Sequence, residues 1–546
     1  MAKIMKTVLL AGLLVCPALA WGQWQVDGLF LGYMTPAFNA SIDAVNIGNG
    51  NIAVVWDGFN QDVRNIHVQL VDSSGYVHWD YAGLLVCPDT AHDQIYASVL
   101  GDDSGGVFVV WSDYRHVAAE GLALYGQHLD SFGNRLWDPY GVRLTYGSYG
   151  HSKAKLCSDG YGGFIIVDDE IMAQRVSRDG DILWDSTGIF LSRIENVIEW
   201  LPITYQTGVT SFITCWVRSW LGDSAEYGSD IYMQRFDLDG NIYWGASGKP
   251  AVHYEDNQSY LEWGHDMVAD GQGGVVVAWI DQRNITPWSM VYADHFNSNG
   301  QSMWAENGQP ASSGPAIMAL ETQVFKLGDK FIFLHSGNSG FRASLLNGTG
   351  NDVWGSVRIL DTMSVVGRAI MDPEAVFKYV SVSNTYPPWK IDTTGHEYWV
   401  DRGYWVGYYR QHVLSDSAGG MITVGNDGYP YVRISRVYAN GKVGGDTTGI
   451  QDGDSLLPYA FRLGQNHPNP FNGQTIIEYA LPENTDVTLE LYNIIGQSLI
   501  KQTLPNQSAG INKITLNLNN YPSGVYLLRL TTTEGIENKI KLTLIK

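Results

Sequence analysis

The feature that most limits what this chain can fold into is a Gly-x-x-x-Trp unit that recurs along most of its length. It stands at Gly75/Trp79, Gly133/Trp137, Gly180/Trp184, Gly240/Trp244, Gly300/Trp304, Gly350/Trp354 and Gly395/Trp399, with 58, 47, 60, 60, 50 and 45 residues between successive tryptophans. An eighth unit ends at Gly441 and has Gly445 where its tryptophan belongs. Such a period points to stacked copies of one supersecondary unit, each too small to bury its apolar face alone. The units also have an upstream half, clearest in Gly105-Gly-Val-Phe-Val-Val-Trp111 and Gly273-Gly-Val-Val-Val-Ala-Trp279. Weaker copies run from Gly50 to Trp56, Gly162 to Asp168 and Gly419 to Gly425. A full unit reads as strand, Asp-x-Gly-Gly turn, apolar strand, loop, Tyr-x-Gln-x-x-Asp strand, glycine turn and Trp. Four short strands per repeat describe one blade of a β-propeller.

The pattern also suggests how the ring closes. A glycine stands four residues after most of these tryptophans, as in Trp79/Gly83, Trp137/Gly141 and Trp244/Gly248. The same half-motif stands alone near the N-terminus as Trp24-Gln-Val-Asp-Gly28-Leu-Phe-Leu31. It lacks a preceding unit, and the last unit lacks its Trp. The expectation is that Trp24–Leu31 supplies the missing outer strand of the final blade, which removes two free sheet edges. The fold class expected is all-β: an eight-bladed propeller, with seven blades as the alternative, followed by a small immunoglobulin-like sandwich.

The turn Leu129-Asp-Ser-Phe-Gly-Asn-Arg-Leu-Trp137 resembles the tryptophan-docking repeats of eight-bladed quinoprotein-like propellers. Those enzymes carry a vicinal cysteine pair beside their cofactor, and no Cys-Cys occurs here. The resemblance therefore implies blade geometry, and no cofactor is expected. Sialidase Asp boxes place Trp one residue nearer to Gly, so these turns do not support a sialidase.

The two ends read as addresses. Lys3 and Lys6, the apolar run Thr7 to Val15 and Ala18-Leu19-Ala20 form an expected signal peptide over residues 1–20. Its apolar run is shorter than the ~20 residues that span a bilayer, and no later transmembrane segment is expected. At the other end stand Asn469-Pro-Phe-Asn472, Tyr492-Asn-Ile-Ile-Gly-Gln497 and Ser523-Gly-Val-Tyr526. Short alternating runs between Gly, Pro and Asn read as strands of a small sandwich. This text resembles the C-terminal sorting domain of the type IX (Por) secretion system of Bacteroidetes-like bacteria. The resemblance implies that residues 461–546 engage the type IX machinery. The chain would pass through the periplasm and be secreted or held at the outer-membrane cell surface. The expected organisation is signal peptide 1–20, propeller 21–450, linker 451–460 and sorting domain 461–546.

Composition narrows the function classes. Charged residues are 16% and aromatics 12%, with 61 glycines and 19 tryptophans, which excludes a disordered chain or a coiled coil. A formal charge of -22 argues against nucleic acid as a partner. Beyond the signal segment, Cys87, Cys157 and Cys215 are far apart and lack metal spacing, so they read as free thiols and no metal site is expected.

A tryptophan that recurs in every unit serves packing and cannot mark one site. Seven lie outside the repeat: Trp21, Trp200, Trp220, Trp263, Trp288, Trp389 and Trp405. Trp200 and Trp263 each stand 16 residues before a second-strand Trp and each follows a glutamate, Glu199 and Glu262. Trp220 and Trp288 sit in the loops after the second strands of the same units. Equivalent positions elsewhere hold Asn39, Gln94 and His151, so a polar ring could line one channel mouth. Indole faces stack on the C–H faces of sugars, which makes Trp200, Trp220, Trp263 and Trp288 the ligand-binding candidates. If Glu199 and Glu262 stood about 5–9.5 Å apart they would meet glycosidase geometry, so they are the catalytic candidates. The Asp113/Arg115 and Asp281/Arg283 pairs read as local ion pairs. The leading expectation is a surface binding or adhesion module for a glycan or protein, acting through the loops of units 3–5. A glycan hydrolase and a structural surface-layer component are the alternatives, and the expectation leans away from an enzyme.

Overall fold

A computed structural model describes the chain over 24–439 and 462–546. Excepted are 25–27, 35–40, 61–62, 80–82, 90, 146–152, 222–226, 254–263, 282, 284–288, 312–318, 338–339, 357, 362–366, 372–375, 382–388, 393–408, 427–430, 464–465, 467–470, 482–483, 495, 509, 534 and 536. The expected signal peptide and linker therefore lie outside the described residues, as do Trp21, Asn39, His151, Trp399 and Trp405. Two compact units emerge, Met1–Asp446 and Thr447–Lys546.

The first unit is all-β but for one short helix, Val117–Glu120. Antiparallel sheets follow one another along it: sheet 1 from Ile42 to Leu85, sheet 2 from Gln94 to Arg143, sheet 3 from Lys155 to Phe190 and sheet 4 from Ile198 to Pro250. Sheet 5 runs from His265 to Pro310, sheet 6 from Ala319 to Asp361, sheet 7 from Gly367 to Asp392 and sheet 8 from Tyr409 to Val437. Each has four strands except sheet 7, which has three among the described residues. The fourth strand of sheet 8 comes from the far end of the chain: Leu29–Tyr33 pairs antiparallel with Tyr431–Val437, Leu29 opposite Ile434. The strand begins later than the half-motif suggests, because Trp24 is used differently.

Trp24 explains the repeat. Its indole lies against Gly75 of sheet 1, and its Nε1 donates to Ser73 O at 3.1 Å. The same contact recurs from sheet to sheet: Trp79 on Gly133, Trp137 on Gly180, Trp184 on Gly240, Trp244 on Gly300 and Trp304 on Gly350. Where the donor is resolved it again meets the next turn, Trp137 Nε1 to Arg178 O at 3.0 Å and Trp184 Nε1 to Leu238 O at 2.9 Å. At Gly180, φ is +91° and a Cβ would sit 3.0 Å from ring atoms of Trp137, so the turn and the docked ring both require glycine. Gly-x-x-x-Trp is thus two halves of neighbouring joints, the glycine receiving one indole and the tryptophan passing to the next sheet. Each docked ring removes roughly 150–250 Å² from water, on the order of 4–6 kcal/mol at about 25 cal/mol per Å².

The glycine four residues after Trp has its own cause. It packs on the indole that ends the second strand of the same sheet: Gly83 on Trp56, Gly141 on Trp111, Gly248 on Trp216 and Gly308 on Trp279. Sheet 3 departs from this, since Asp168 stands where the indole would be and Gly188 meets Met172 instead. The first strands are joined from sheet to sheet by side chains that bond the neighbour's backbone. Val99 N donates to Asp43 Oδ2 at 3.2 Å, Val324 N to Asp266 Oδ2 at 2.9 Å and Ala369 N to Gln323 Oε1 at 2.9 Å. Contacts pass from each first strand to the next and return from sheet 8 to sheet 1.

The second unit holds a three-stranded sheet (Arg462–Leu463, Gln474–Leu481, Gly510–Asn517) and a four-stranded one (Ser498–Gln507, Thr485–Asn493, Gly524–Thr532, Glu537–Leu544). Their alternating apolar residues, among them Ile477, Tyr479, Leu489, Leu491, Leu528 and Leu530, form one core.

Candidate functional site at sheets 3 to 5

Sheets 2, 4 and 5 build the same buried device from different residues. In sheet 2, Trp111 Nε1 donates to Asp113 Oδ2 at 2.8 Å and Arg115 Nε donates to Asp113 Oδ1 at 2.8 Å. The Arg115 guanidinium lies 4.2 Å over the Tyr125 ring and reaches Tyr140 O at 3.0 Å. Sheet 5 repeats it: Trp279 Nε1 to Asp281 Oδ2 at 3.0 Å, Arg283 Nε to Asp281 Oδ2 at 2.7 Å, Arg283 over Tyr292 at 4.2 Å and Arg283 Nη1 to Asn307 O at 2.8 Å. One carboxylate thus satisfies an indole N–H and a guanidinium that are both shielded from water, which makes these charge-assisted bonds strong.

In sheet 4 the carboxylate comes from the first strand. Glu199 Oε1 accepts from Trp216 Nε1 at 2.8 Å, Arg218 Nε at 2.6 Å and Ser192 Oγ at 2.9 Å. Arg218 lies 3.5 Å over the Tyr232 ring and reaches Ser247 O at 2.7 Å. The register shows how the exchange arises. Glu199 stands opposite Arg218, whereas in sheet 2 Gln94 stands opposite Asp113. Arg218 holds the place two residues after the Trp that Asp113 and Asp281 hold, and the acid has moved to the facing strand. Arg218 was missed in the sequence, although a Trp-x-Arg where Trp-x-Asp recurs, paired with a Glu where Gln94 stands, is the signal that marks it.

The two described tryptophan candidates lie apart. Trp200 is directly opposite Val217, so it shares the face of Val217 and packs against the core between sheets 4 and 5, with its Nε1 3.4 Å from Ser219 Oγ. Trp220, expected in a loop, lies within the second strand, which runs on to Leu221; it is three residues beyond Val217 and projects to the other face. That is the face of Trp216, which packs with Ile165, Val167 and Ile171 of sheet 3. Both indoles are half-buried. A bulge at Leu201, where φ is +56°, shifts the register between Trp200 and Ile203. Glu262, Trp263 and Trp288 lie outside the described residues.

Sheet 4 also stands taller than its neighbour. Its second and third strands run Ser211–Leu221 and Tyr227–Asp237, 11 residues each, against 4 and 5 for Phe164–Val167 and Met172–Val176 in sheet 3. Six residues beyond Cys215, the counterpart of Val167, amount to about 20 Å of strand. Trp220 stands on that raised part, on the side of the lower sheet 3. There the short hairpin Asp168–Ile171 closes the strands. Asp168 is buried; its Oδ1 accepts from Glu170 N at 3.0 Å and Met172 N at 3.1 Å, while Oδ2 has no partner among the described residues. Burial pushes its pKa up to about 7, with the charges of Glu170 and Asp169 adding to the rise. Nearby in sequence order, His265 opens the first strand of sheet 5, and burial pushes its pKa down to about 4.

Cys87 and Cys215 are buried, Cys157 is half-buried, and all three are free thiols. Among the described residues no helix is long and apolar enough to cross a membrane, and no group of three His, Cys, Asp or Glu is gathered for a metal.

Comparison with solved structures returns an α-L-arabinofuranosidase from Fusarium graminearum at 10% identity, covering 60% of this chain and 98% of that one with a TM-score of 0.31. A eukaryotic initiation factor matches at 8% identity over 90% and 97% with a TM-score of 0.39. An endo-arabinase from Bacteroides thetaiotaomicron VPI-5482 matches at 13% over 53% and 99% with a TM-score of 0.25. Likeness at this level assigns no function. No curated protein matches the chain. Residues 466–545 match the family described as Secretion system C-terminal sorting domain, which marks the chain as a substrate of the type IX secretion system, secreted or carried to the cell surface.

Proposed function

We propose that this chain is an exported binding module: a signal peptide at 1–20, an eight-bladed β-propeller over 21–450, a linker at 451–460 and an immunoglobulin-like sorting domain at 461–546. The blade count is supported by the sheets of the first unit, the fourth strand that Leu29–Tyr33 gives to sheet 8 and the Trp24–Gly75 joint. The module takes a glycan or protein ligand at the end of the ring where sheets 3 and 4 meet. The observation that carries this is the half-buried Trp220, raised by the long hairpin of sheet 4 on the side of the shorter sheet 3. An indole in such a recess offers a flat apolar face with a polar N–H, suited to a sugar ring or an extended peptide. Trp200 stands on the opposite face of sheet 4, toward sheet 5, and lies outside this surface.

Binding is favoured over hydrolysis by Glu199, whose Oε1 takes three hydrogen bonds, from Trp216 and Arg218 of its own sheet and from Ser192. A glycan array probed with the purified full chain tests the proposal, with Trp220→Ala and Trp200→Ala alongside. Selective binding that Trp220→Ala loses by about tenfold or more is expected, the usual scale for a central aromatic anchor. Undiminished binding by Trp220→Ala would remove the site from sheet 4. Release of product from a bound glycan, abolished by Glu199→Gln, would establish the hydrolase instead.

A further inference from the structure

The four-stranded sheet of the C-terminal unit has an outer face unlike that of an ordinary solvated sheet. Antiparallel strands with one buried face normally alternate apolar inside and polar outside. Here the inner positions Tyr526, Leu528 and Leu530 are buried as expected, yet the outer positions of the same strand begin Val525 and Leu527, 40% and 44% exposed. Leu527 pairs across the sheet with Tyr492, whose ring is half-buried beneath the Arg529 guanidinium. The hairpin leaving that strand, held by Gln497 N on Asn493 Oδ1 at 2.9 Å and Gly496 N on Asn493 O at 3.0 Å, presents Ile494 at 81% exposure. Among the described residues the other sheet of the unit has a single exposed large apolar residue, Ile476. A contiguous apolar strip rimmed by polar groups on one face marks a contact surface.

The rim is basic. Lys501, Arg529, Lys539 and Lys541 occupy outer positions of the same sheet, opposed there by Glu490 and Glu537. Residues 461–546 carry seven Lys and Arg against six Asp and Glu, in a chain whose totals are 34 and 56. The sorting unit is therefore the part of an acidic protein on which an acidic partner surface is not repelled.

We infer that the face formed by Tyr492, Val525 and Leu527, with Ile494 at its end, docks onto a component of the secretion machinery that offers an apolar pocket with an acidic rim. The inference rests on the reading of residues 461–546 as a sorting domain and names the surface that is read. Leu527 and Ile494 enter the pocket, and Arg529 and Lys541 meet the rim. The unit needs none of these apolar side chains to fold, because its own core lies on the other side of the sheet.

The test uses the full chain produced in a bacterium that has a type IX secretion system, with the exported and periplasmic fractions measured by immunoblot. Leu527→Asp and Ile494→Asp are expected to cut the exported fraction by about tenfold or more, as loss of a central apolar anchor does. Lys541→Glu, a change on an exposed strand position that leaves the core untouched, is expected to reduce it by about threefold to tenfold through repulsion at the rim. Ile476→Asp, on the other sheet, should export like the parent. Parental export of Leu527→Asp, Ile494→Asp and Lys541→Glu, while a chain lacking 461–546 is retained, would overturn the face and leave the sorting reading intact. An equal loss with Ile476→Asp would overturn it as well. Normal export of the chain lacking 461–546 would overturn the sorting reading itself.

Discussion

Sheets 3 and 4 are adjacent copies of one repeat that part company at one buried position in particular, Asp168 against Trp216. Sheet 4 carries Trp216 within its second strand, where it packs under Gly248 and donates to Glu199, which also pairs with Arg218. Sheet 3 ends its second strand at Val167 and holds Asp168 at the equivalent position, its carboxyl buried with one oxygen unpartnered among the described residues. With the indole and its ion pair, the second strand of sheet 4 runs on for five more residues to Leu221; without them, the strands of sheet 3 close at once in a hairpin. The joints between sheets, Trp on Gly, are the same on both sides. What the repeat holds constant is the joint; what it leaves free is the height of each sheet.

The largest test of this contrast removes the indole. Trp216→Ala should destabilise the first unit by about 5 kcal/mol, since a buried ring leaves a cavity and Glu199 loses a donor. Chemical denaturation would measure it, and a change under about 1 kcal/mol would show that Trp216 does not hold the tall hairpin. Next is the acid in sheet 3. Its pKa is raised from 3.8 to about 7, so the folded state holds a proton that the unfolded chain releases. The sign follows: this proton favours folding at low pH, and stability falls as pH rises from about 4 to about 7, by on the order of 4 kcal/mol. Asp168→Asn should flatten that part of the stability–pH curve, whereas an unchanged slope would place the titration elsewhere. The smallest expected effect is Glu199→Gln. It keeps an acceptor for Trp216 but gives up the charge facing Arg218, a loss of about 2–3 kcal/mol. Asp281→Asn in sheet 5 should cost about the same. A Glu199→Gln protein as stable as its parent would free this residue for chemistry.

Much of this architecture can be read in the residues themselves. The Gly and Trp spacing marks every joint that the described residues contain, and the orphan Trp24/Gly28 pair points to the strand that completes sheet 8. The pattern does not say what each glycine is for, because a positive φ and a docked indole leave the same letter. The candidate site was less legible. Glu199 and Trp200 are neighbours in sequence, yet one bonds Trp216 and Arg218 and the other joins the core with sheet 5. Alternation along a strand separates two such residues, but only the cross-strand register, with its bulge at Leu201, says which partners they meet. The same register puts Trp200 and Trp220 on opposite faces of sheet 4. Asp168 was visible as a missing Trp, though its burial was not, since a lone Asp in a turn normally stays solvated.

The proposed eight-bladed propeller closes only if the N-terminal strand completes sheet 8. The most direct measurement pairs Phe30→Cys with Arg433→Cys, positions directly opposite each other in sheet 8 although 403 residues apart in the chain. Mild oxidation of the purified protein should form this disulfide within one molecule, seen as a linked peptide in mass spectrometry and a faster non-reducing gel band. Failure of the two cysteines to join, or their joining only between molecules, would contradict the closed eight-bladed ring proposed for this chain.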